Sequence, residues 1–168
     1  MKVLFDDKRI KDRIQSLADM INADFVGQEV IAIGVLKGAV IFYSELVRKL
    51  KMPLYFDFIQ VGSYGAKKES SGEIRVIKDI EKDIKGKNVL IIEDIIDTGF
   101  TLDWLVKTLQ KRQPASLKIA VLLDKSSRRK IPVKVDYTGF ETPDEFVVGF
   151  GLDHDDKYRE LPYIGVLK

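Results

Sequence analysis

Residues 89–101 read Val89-Leu90-Ile91-Ile92-Glu93-Asp94-Ile95-Ile96-Asp97-Thr98-Gly99-Phe100-Thr101, and they carry the clearest structural signal in the chain. Four apolar residues run directly into two adjacent carboxylates, and a third carboxylate follows three residues later. An unbroken apolar run of this kind is typical of a strand buried on both faces of a parallel sheet. The Thr-Gly-x-Thr turn then leads into apolar residues at helical spacing. The stretch therefore predicts a strand, a polar turn and a helix, in that order.

Apolar runs and amphipathic segments alternate along the rest of the chain as well. Helical spacing predicts a helix over residues 8–25 and another from Val40 to Leu50. Further strands are predicted over five apolar or alternating segments: residues 30–35, 54–61, 117–123, 133–137 and 146–150. Buried strands that alternate with helices favour an α/β fold with a mainly parallel central sheet flanked by helices. In such sheets ligands bind beyond the carboxyl ends of the strands, so the residues that follow each strand matter most.

Length, composition and charge limit what the protein can be. A chain of 168 residues suits one domain, so we expect residues 1–168 to form a single unit. The formal net charge of +2 does not call for a nucleic acid or a membrane as partner. The absence of cysteine excludes disulfides, thiolate chemistry and cysteine metal sites. Charged residues interrupt the N-terminus early and no apolar run approaches the ~18 residues of a membrane helix, so the cytoplasm is the expected location.

The polar turn within residues 89–101 has the composition of a phosphate site. Backbone N–H groups at a turn and helix start, together with hydroxyls, form a cradle for a phosphate, and Gly99 lets the backbone approach a ligand closely. Glu93 and Asp94 lie where sugar hydroxyls or a hydrated Mg2+ would be held, since Mg2+ takes few carboxylates and keeps several waters. The alternative is that Thr98 or Thr101 only caps the helix and that the carboxylates are exposed loop charges.

The complete string resembles the phosphoribosyl pyrophosphate signature of the type I phosphoribosyltransferases. That signature is an apolar strand, two acidic residues, two apolar residues, Asp, Thr or Ser, Gly, any residue and Thr, and every required position is filled. The resemblance implies the type I phosphoribosyltransferase fold and an Mg2+-dependent transfer of 5-phosphoribosyl. It assigns the binding of phosphoribosyl pyrophosphate to Glu93, Asp94, Ile95, Ile96, Asp97, Thr98, Gly99, Phe100 and Thr101. It further implies that Glu93 and Asp94 face Mg2+, and that Asp97 is the catalytic base for the proton on purine N7.

Two segments before the signature narrow the resemblance to the hypoxanthine–guanine branch of that family. Leu36-Lys37-Gly38-Ala39 looks like the pyrophosphate loop of the branch, and the branch implies a cis peptide bond between Leu36 and Lys37. Ser63-Tyr64 opens the polar segment 62–75, which we expect to be a long mobile loop. The resemblance implies that this loop closes as a lid and keeps water from the reacting centre. Taken alone, the segment from Leu36 to Ala39 is more typical of a plain strand-to-helix turn with a solvated lysine, and Ser63-Tyr64 fits an ordinary surface hairpin equally well.

A lysine after a later strand adds to the resemblance. Leu122-Leu123-Asp124-Lys125 places Lys125 at a strand end, where the branch uses a lysine to hydrogen-bond the 6-oxo group of the purine. A donor at that position rejects adenine, which carries an amino group there. Taken alone, Lys125 would be read as a surface lysine, the usual fate of this residue type.

Residues 143–153 strongly resemble the small purine-binding hood of the branch. The resemblance implies that Phe146 stacks on the base, that the Val147 backbone reads the edge of the base, and that Asp153 holds a second Mg2+ through water. It also implies that Arg159 contacts pyrophosphate, because the planar guanidinium matches phosphate oxygens. Without the family, Phe146 would be read as a core residue and Arg159 as a solvated charge.

The function that the resemblance implies is purine salvage. Hypoxanthine, and guanine with it, would react with phosphoribosyl pyrophosphate to give IMP or GMP and pyrophosphate, in a homodimer or homotetramer. A regulator of the same fold that binds nucleic acid, and a phosphoribosyltransferase for another base such as xanthine, stay open as alternatives. Two residues depart from the commonest pattern of the branch: Ala39 in the pyrophosphate loop and Phe100, where relatives often carry a basic residue.

Overall fold

Short strands and amphipathic helices make up the part of the chain that the structure describes. The computed structural model describes residues 1–63 and 73–167. Its elements in chain order are β1 (Lys2–Phe5), α1 (Asp7–Asp24), β2 (Val30–Leu36), α2 (Val40–Val47), β3 (Leu54–Ser63), β4 (Ile74–Lys78), β5 (Asn88–Ile96), α3 (Phe100–Gln110), β6 (Ser116–Asp124), β7 (Tyr137–Glu141), β8 (Val147–Val148) and β9 (Ile164–Val166). A 3-10 turn, Ser126–Arg128, follows β6.

The central sheet has the strand order β4-β3-β2-β5-β6-β7. Neighbouring strands from β3 to β7 are parallel, whereas β4 at the edge runs antiparallel to β3. The predicted α/β fold with a mainly parallel central sheet is therefore confirmed. Parallel pairing brings the carboxyl ends of these strands to one edge of the sheet, which is where the polar turns begin.

Helices cover both faces of the central sheet, because each carries an apolar stripe. Ile14 of α1 and Phe42 of α2 are fully buried in one cluster, together with alternate residues of β2 and β5. Leu105 of α3 belongs to a second cluster that takes the other alternate residues of the same strands. Each such buried side chain contributes about 1.5–3 kcal/mol. Among the described helices, none is both long and apolar enough to cross a membrane.

A small second sheet, in the order β1-β9-β8, lies beside the central one and forms the predicted hood. Its pairs are antiparallel, with Lys2 opposite Val166 and Val147 also opposite Val166. The N-terminal strand β1 and the C-terminal strand β9 were not predicted, because strands of three or four residues are too short to show a clear period.

Some predicted boundaries were wrong. Residues 133–137 are not a strand; β7 begins only at Tyr137, and Val133 and Val135 alternate because they pack against the cluster of α3. Of residues 146–150, only Val147–Val148 form a strand. The polar segment 62–75 was predicted to be a loop throughout, yet Gly62 and Ser63 extend β3 and pair with β4, because an edge strand tolerates polar residues. Residues 64–72, which carry the rest of the predicted loop and Tyr64, lie outside the described residues.

Candidate functional site

The carboxyl ends of β2, β3 and β5 meet at one edge of the central sheet, and a cavity of about 930 Å³ opens there. The sequence-predicted residues that line it are Gly38, Ser63, Glu93, Asp94, Phe100, Thr101, Asp153 and Arg159. A smaller cavity of about 270 Å³ lies beside it and is lined by residues 93–99 with Thr101 and Leu102. The predicted residues Lys37, Lys125, Phe146 and Val147 line neither of these two cavities.

Two glycines allow the loop after β2 to lie close to Asp94. The peptide bond between Leu36 and Lys37 is cis, as the resemblance implies. A Cβ on Gly38 would lie 2.0 Å from Oδ2 of Asp94, and a Cβ on Gly151 would lie 2.1 Å from the carbonyl oxygen of Gly38. The backbone of the loop therefore lies against the Asp94 side chain on one side and against the backbone at Gly151 on the other. The Lys37 side chain is largely exposed, and its Nζ lies 3.5 Å from Oδ1 of Asp156.

The turn between β5 and α3 has the shape that a phosphate cradle needs. Gly99 has a φ of +94°, a left-handed conformation that favours glycine, and a Cβ there would lie 2.5 Å from the carbonyl oxygen of Ile131. The carbonyl oxygen of Thr98 accepts hydrogen bonds from the N–H groups of Lys130 and Ile131, at 2.9 and 3.1 Å. These two hydrogen bonds hold the turn in place. The first N–H groups of a helix have no acceptor within the helix, so the start of α3 offers donors to an anion in the smaller cavity.

Glu93 and Asp94 are adjacent carboxylates, of which Glu93 is buried and Asp94 partly exposed. Glu93 is 7% exposed, and the N–H of Asp94 donates to its Oε1 at 3.0 Å. Burial raises the pKa of Glu93 well above its ordinary value, and the neighbouring Asp94 carboxyl raises it further. Burial also raises the pKa of Asp94, and the Arg159 guanidinium opposes that rise. A cation beside the pair would favour the ionised form of both groups.

Asp97 presents its two carboxylate oxygens to different surroundings. Oδ1 is buried and accepts no hydrogen bond from the described residues, although Nε of Arg128 lies 3.0 Å away. The contact is therefore an ion pair in which the N–H does not point along the line to the oxygen. The side chain as a whole is 40% exposed, so Oδ2 is the oxygen that a ligand can reach. Arg129 donates from Nε to the Asp97 carbonyl at 3.1 Å and pairs through Nη2 with Asp124.

Arg159 contacts two carboxylates, that of Asp153 in the hood and that of Asp156 just after it. It donates to the carbonyl of Gly151 at 2.7 Å, and its Nη2 lies 3.1 Å from Asp153 and 3.2 Å from Asp156. Asp153 in turn accepts a hydrogen bond from the N–H of Asp156 at 2.9 Å. These contacts orient Arg159 and Asp153 toward the larger cavity, which both of them line.

The remaining predicted base-contacting residues lie between β6 and the hood. Lys125 is only 6% exposed, and its ammonium has no hydrogen bond or ion pair with any described residue. Its backbone N–H donates to the carbonyl of Ile96 at 2.9 Å, which holds it against the end of β5. Phe146 is 53% exposed and meets His154 edge to face at a centroid distance of 5.2 Å. Val147 is buried in β8.

Sequence reasoning missed Arg128 and Arg129. Arg128 pairs with the Asp97 carboxylate, and Arg129 donates to the Asp97 backbone carbonyl. The signal that points to them is their position, because two adjacent arginines lie within five residues of the carboxyl end of β6. Residues in that position were expected to matter most, yet the resemblance drew attention to Lys125 alone.

Comparison with known proteins agrees with this geometry. The family described as phosphoribosyl transferase domain matches residues 2–155. The hypoxanthine-guanine phosphoribosyltransferase of Bacillus subtilis (strain 168) is 47% identical over 167 residues, which cover 99% of this chain and 93% of that protein. That of Mycobacterium avium is 44% identical over 171 residues, covering 98% of this chain and 84% of that protein.

A solved structure repeats the fold almost throughout. The hypoxanthine-guanine phosphoribosyltransferase of Bacillus anthracis, crystallised with a HEPES molecule in its active site, has a TM-score of 0.96 and 41% identity. The match covers 100% of this chain and 99% of that chain. The likeness therefore extends over both sheets and over the edge where the candidate site lies.

Proposed function

Since the chain belongs to the phosphoribosyl transferase domain family, we propose that it transfers 5-phosphoribosyl from phosphoribosyl pyrophosphate to hypoxanthine and guanine. The products are IMP or GMP and pyrophosphate, so the enzyme acts in purine salvage. The observation that carries this proposal is the convergence of Gly38, the segment after β5 and Asp153 around one cavity of about 930 Å³. A pocket of that volume suits a ligand of nucleotide size.

In the proposed reaction, the bond from C1′ to the pyrophosphate oxygen breaks and a bond from C1′ to a purine nitrogen forms. Positive charge builds on the ribose ring while pyrophosphate departs with the bonding electrons. Lys37, which precedes Gly38 in the loop, and Arg159 both approach the Asp156 carboxylate, and the two cations stabilise the developing negative charge. The cradle from Thr98 to Thr101 holds the 5′-phosphate with backbone N–H groups and hydroxyls.

Asp97 accepts the proton that leaves purine N7. Support comes from its geometry: Oδ1 is buried with Nε of Arg128 3.0 Å away, which leaves Oδ2 as the oxygen that faces a ligand. A general base of this kind contributes about 10²–10⁴-fold to the rate.

We propose Mg2+ as the divalent metal, with Glu93 and Asp94 holding it and Asp153 holding a second ion through water. Among residues 1–63 and 73–167, no three His, Cys, Asp or Glu side chains converge as a metal cage. A pair of adjacent carboxylates still fits Mg2+, which in phosphate-transferring sites takes one or two carboxylates and completes its shell with waters and substrate phosphates. When bound, Mg2+ supplies positive charge that offsets the charge of pyrophosphate.

Base selection falls to Lys125 and the hood. Lys125 is only 6% exposed and its ammonium has no partner among the described residues, so it is suited to donate to the 6-oxo group of a purine. The exposed ring of Phe146 offers a stacking face, and the backbone of Val147 reads the base edge. The lid role of Ser63 and Tyr64 stays a prediction from the resemblance.

We further propose that residues 1–168 form one domain and that this domain assembles as a homodimer or homotetramer in the cytoplasm. Pairing of β1 with β9 supports one domain, because it joins the two ends of the described chain in one sheet. The assembly and the location rest on the resemblance and on the sequence alone. A monomer mass from light scattering would contradict the proposed assembly.

Initial rates with four bases test the proposed function. Hypoxanthine, guanine, xanthine and adenine are each supplied with phosphoribosyl pyrophosphate and Mg2+, and turnover is followed by ultraviolet absorbance. Rapid conversion of hypoxanthine and guanine that stops with EDTA, with adenine nearly inert, is the expected result. A clear preference for xanthine would change the substrate assignment, and no turnover of any oxopurine by a protein that binds phosphoribosyl pyrophosphate would contradict the proposal.

A further inference from the structure

We propose that Arg128 is a positioning residue that holds the Asp97 carboxylate in place and ties it to the loop that carries Phe146. The inference rests on the proposed function, because it gives Arg128 a part in the alignment of the purine for attack. It concerns a residue that the resemblance did not single out.

Arg128 bridges carboxylates from two separate parts of the fold. Its Nε lies 3.0 Å from Oδ1 of Asp97, in the turn after β5. Its Nη1 lies 3.4 Å from Oδ1 of Asp144, in the segment between β7 and β8. Asp144 precedes Phe146 by two residues. One guanidinium therefore links the proposed proton acceptor to the strand-to-strand segment that carries the proposed stacking residue.

The backbone fixes where the Arg128 side chain starts. The N–H of Arg128 donates to the carbonyl of Lys125 at 3.0 Å within the 3-10 turn. The chain is anchored on both sides of this turn, because Lys125 donates to Ile96 and Lys130 donates to Thr98, each at 2.9 Å. Arg128 is 47% exposed, but its main chain lies against the segment that contains Asp97 and cannot shift independently of it.

The surroundings of the Asp97 carboxylate indicate what the bridge does. Oδ1 has almost no accessible surface and no hydrogen bond from the described residues, and Arg128 is the cation beside it. The guanidinium thus holds one oxygen, which leaves Oδ2 turned to the ligand side. A base that must meet purine N7 needs its carboxylate plane fixed, since small errors in alignment reduce rates strongly. The two side chains are 47% and 40% exposed, but the pair differs from a plain surface ion pair because Oδ1 of Asp97 is itself buried beside the guanidinium.

The proposal predicts which kinetic constants change. Arg128→Gln should lower kcat/KM for hypoxanthine by about tenfold, because the carboxylate loses its fixed plane, while KM for phosphoribosyl pyrophosphate stays within about twofold. Arg128→Lys keeps the charge and should recover part of the loss. Asp144→Asn should raise KM for hypoxanthine by about two- to threefold, and the double variant Arg128→Gln/Asp144→Asn should be no worse than Arg128→Gln alone, because both changes break one bridge.

Arg112→Gln is the matched control. Arg112 is 36% exposed and pairs with Asp79 at 2.7 Å, but it lies beyond the C-terminal end of α3, away from the cradle at the start of that helix. Its variant should keep both KM values and kcat. Circular dichroism and thermal melting establish that each variant is folded. If Arg128→Gln does not fold, the kinetics of Asp144→Asn alone test the proposal.

The outcomes separate this inference from the proposed function. Steady-state rates of the unaltered protein come first, and no turnover there would sink the proposed function itself. With the unaltered protein active, unchanged kcat/KM for hypoxanthine in Arg128→Gln, or in Asp144→Asn where Arg128→Gln does not fold, would overturn the positioning role. So would a loss that affects phosphoribosyl pyrophosphate and hypoxanthine equally and that Arg128→Lys does not recover.

Discussion

Gly38 lies so close to Asp94 that a Cβ at position 38 would be 2.0 Å from Oδ2 of Asp94. The glycine belongs to the loop after β2, and the carboxylate lies near the carboxyl end of the neighbouring strand β5. A residue without a side chain at position 38 is thus what allows a carboxylate at position 94 to stay beside the loop. The proposed binding of pyrophosphate and Mg2+ depends on both groups keeping these positions.

The first prediction concerns the substitution Gly38→Ala. The added methyl group must displace the Asp94 carboxylate or the loop, and overpacking of this kind costs about 1–3 kcal/mol. If that energy comes from the binding site, KM for phosphoribosyl pyrophosphate should rise by about tenfold or more. Gly86→Ala is the control: its positive φ of 69° makes alanine strained there, but a Cβ on Gly86 meets nothing within 4 Å, so stability should fall while KM stays the same. Equal KM values in the two variants would show that the close approach has no bearing on binding.

The second prediction concerns Asp97→Asn, which removes the proposed base and keeps its size. The turnover number kcat with hypoxanthine should fall by about 10²–10⁴-fold, because the amide does not accept the N7 proton as a carboxylate does. The dissociation constant for phosphoribosyl pyrophosphate, measured by calorimetry, should change far less. Asp19→Asn, on the outer face of α1, removes an exposed carboxylate that accepts only from Gln15 and should have no effect. Equal turnover in Asp97→Asn would rule out the assignment.

The third prediction concerns the buried carboxylate of Asp57, which lies away from the site. It is 4% exposed and accepts hydrogen bonds from the N–H groups of Phe58, Glu81 and Lys82, at 2.8, 2.9 and 2.8 Å. Asp57→Ala leaves these donors without an acceptor and should lower the free energy of unfolding by about 2–4 kcal/mol. Urea denaturation measures the loss. The KM values of the folded fraction should not change, and a loss below about 0.5 kcal/mol would contradict this account.

Residues 89–101 illustrate how much the sequence alone can predict. The apolar run, the adjacent carboxylates and the turn are all local, so they indicate strand, turn and helix without knowledge of the rest of the chain. The α/β fold followed from repetition of the same pattern, and the structure confirms it. The site residues near Glu93 came from the motif, and the structure brings Gly38, Asp153 and Arg159 to the same cavity. Their individual roles stay predictions.

What the sequence did not indicate depends on contacts between distant residues. The strand β1 exists because it pairs with β9 from the other end of the chain, and neither has a period of its own. Val133 and Val135 alternate like a strand, but they gain their burial from α3 and not from a neighbouring strand. The bridge from Arg128 to Asp97 and Asp144 joins three loops, so no local pattern contains it.

The last prediction concerns the pH dependence of the ion pair between Asp79 and Arg112, at the end of α3 remote from the site. Hydrogen bonding to the Arg112 guanidinium lowers the pKa of Asp79 below its ordinary value of 3.8. A carboxyl whose pKa is lowered in the folded state stabilises the fold at pH values above its pKa in the unfolded state. This contribution is lost as the pH falls through the pKa of the folded state. Both side chains are partly exposed, 50% for Asp79 and 36% for Arg112, so the pair is worth about 0.5–1 kcal/mol.

Arg112→Gln should therefore lower the free energy of unfolding by about 0.5–1 kcal/mol near pH 6, and the difference from the unaltered protein should shrink as the pH falls below 3.8 and through the lowered pKa of Asp79. Urea titrations at several pH values measure that difference directly. Arg48→Gln is the matched control, because Arg48 is 75% exposed and its Nη1 lies 3.9 Å from Oε1 of Glu45. Its removal should change the free energy of unfolding little at any pH. A loss in Arg112→Gln that stays constant from pH 6 to pH 3 would mean that packing of the arginine side chain, and not the charge of Asp79, stabilises this end of the helix.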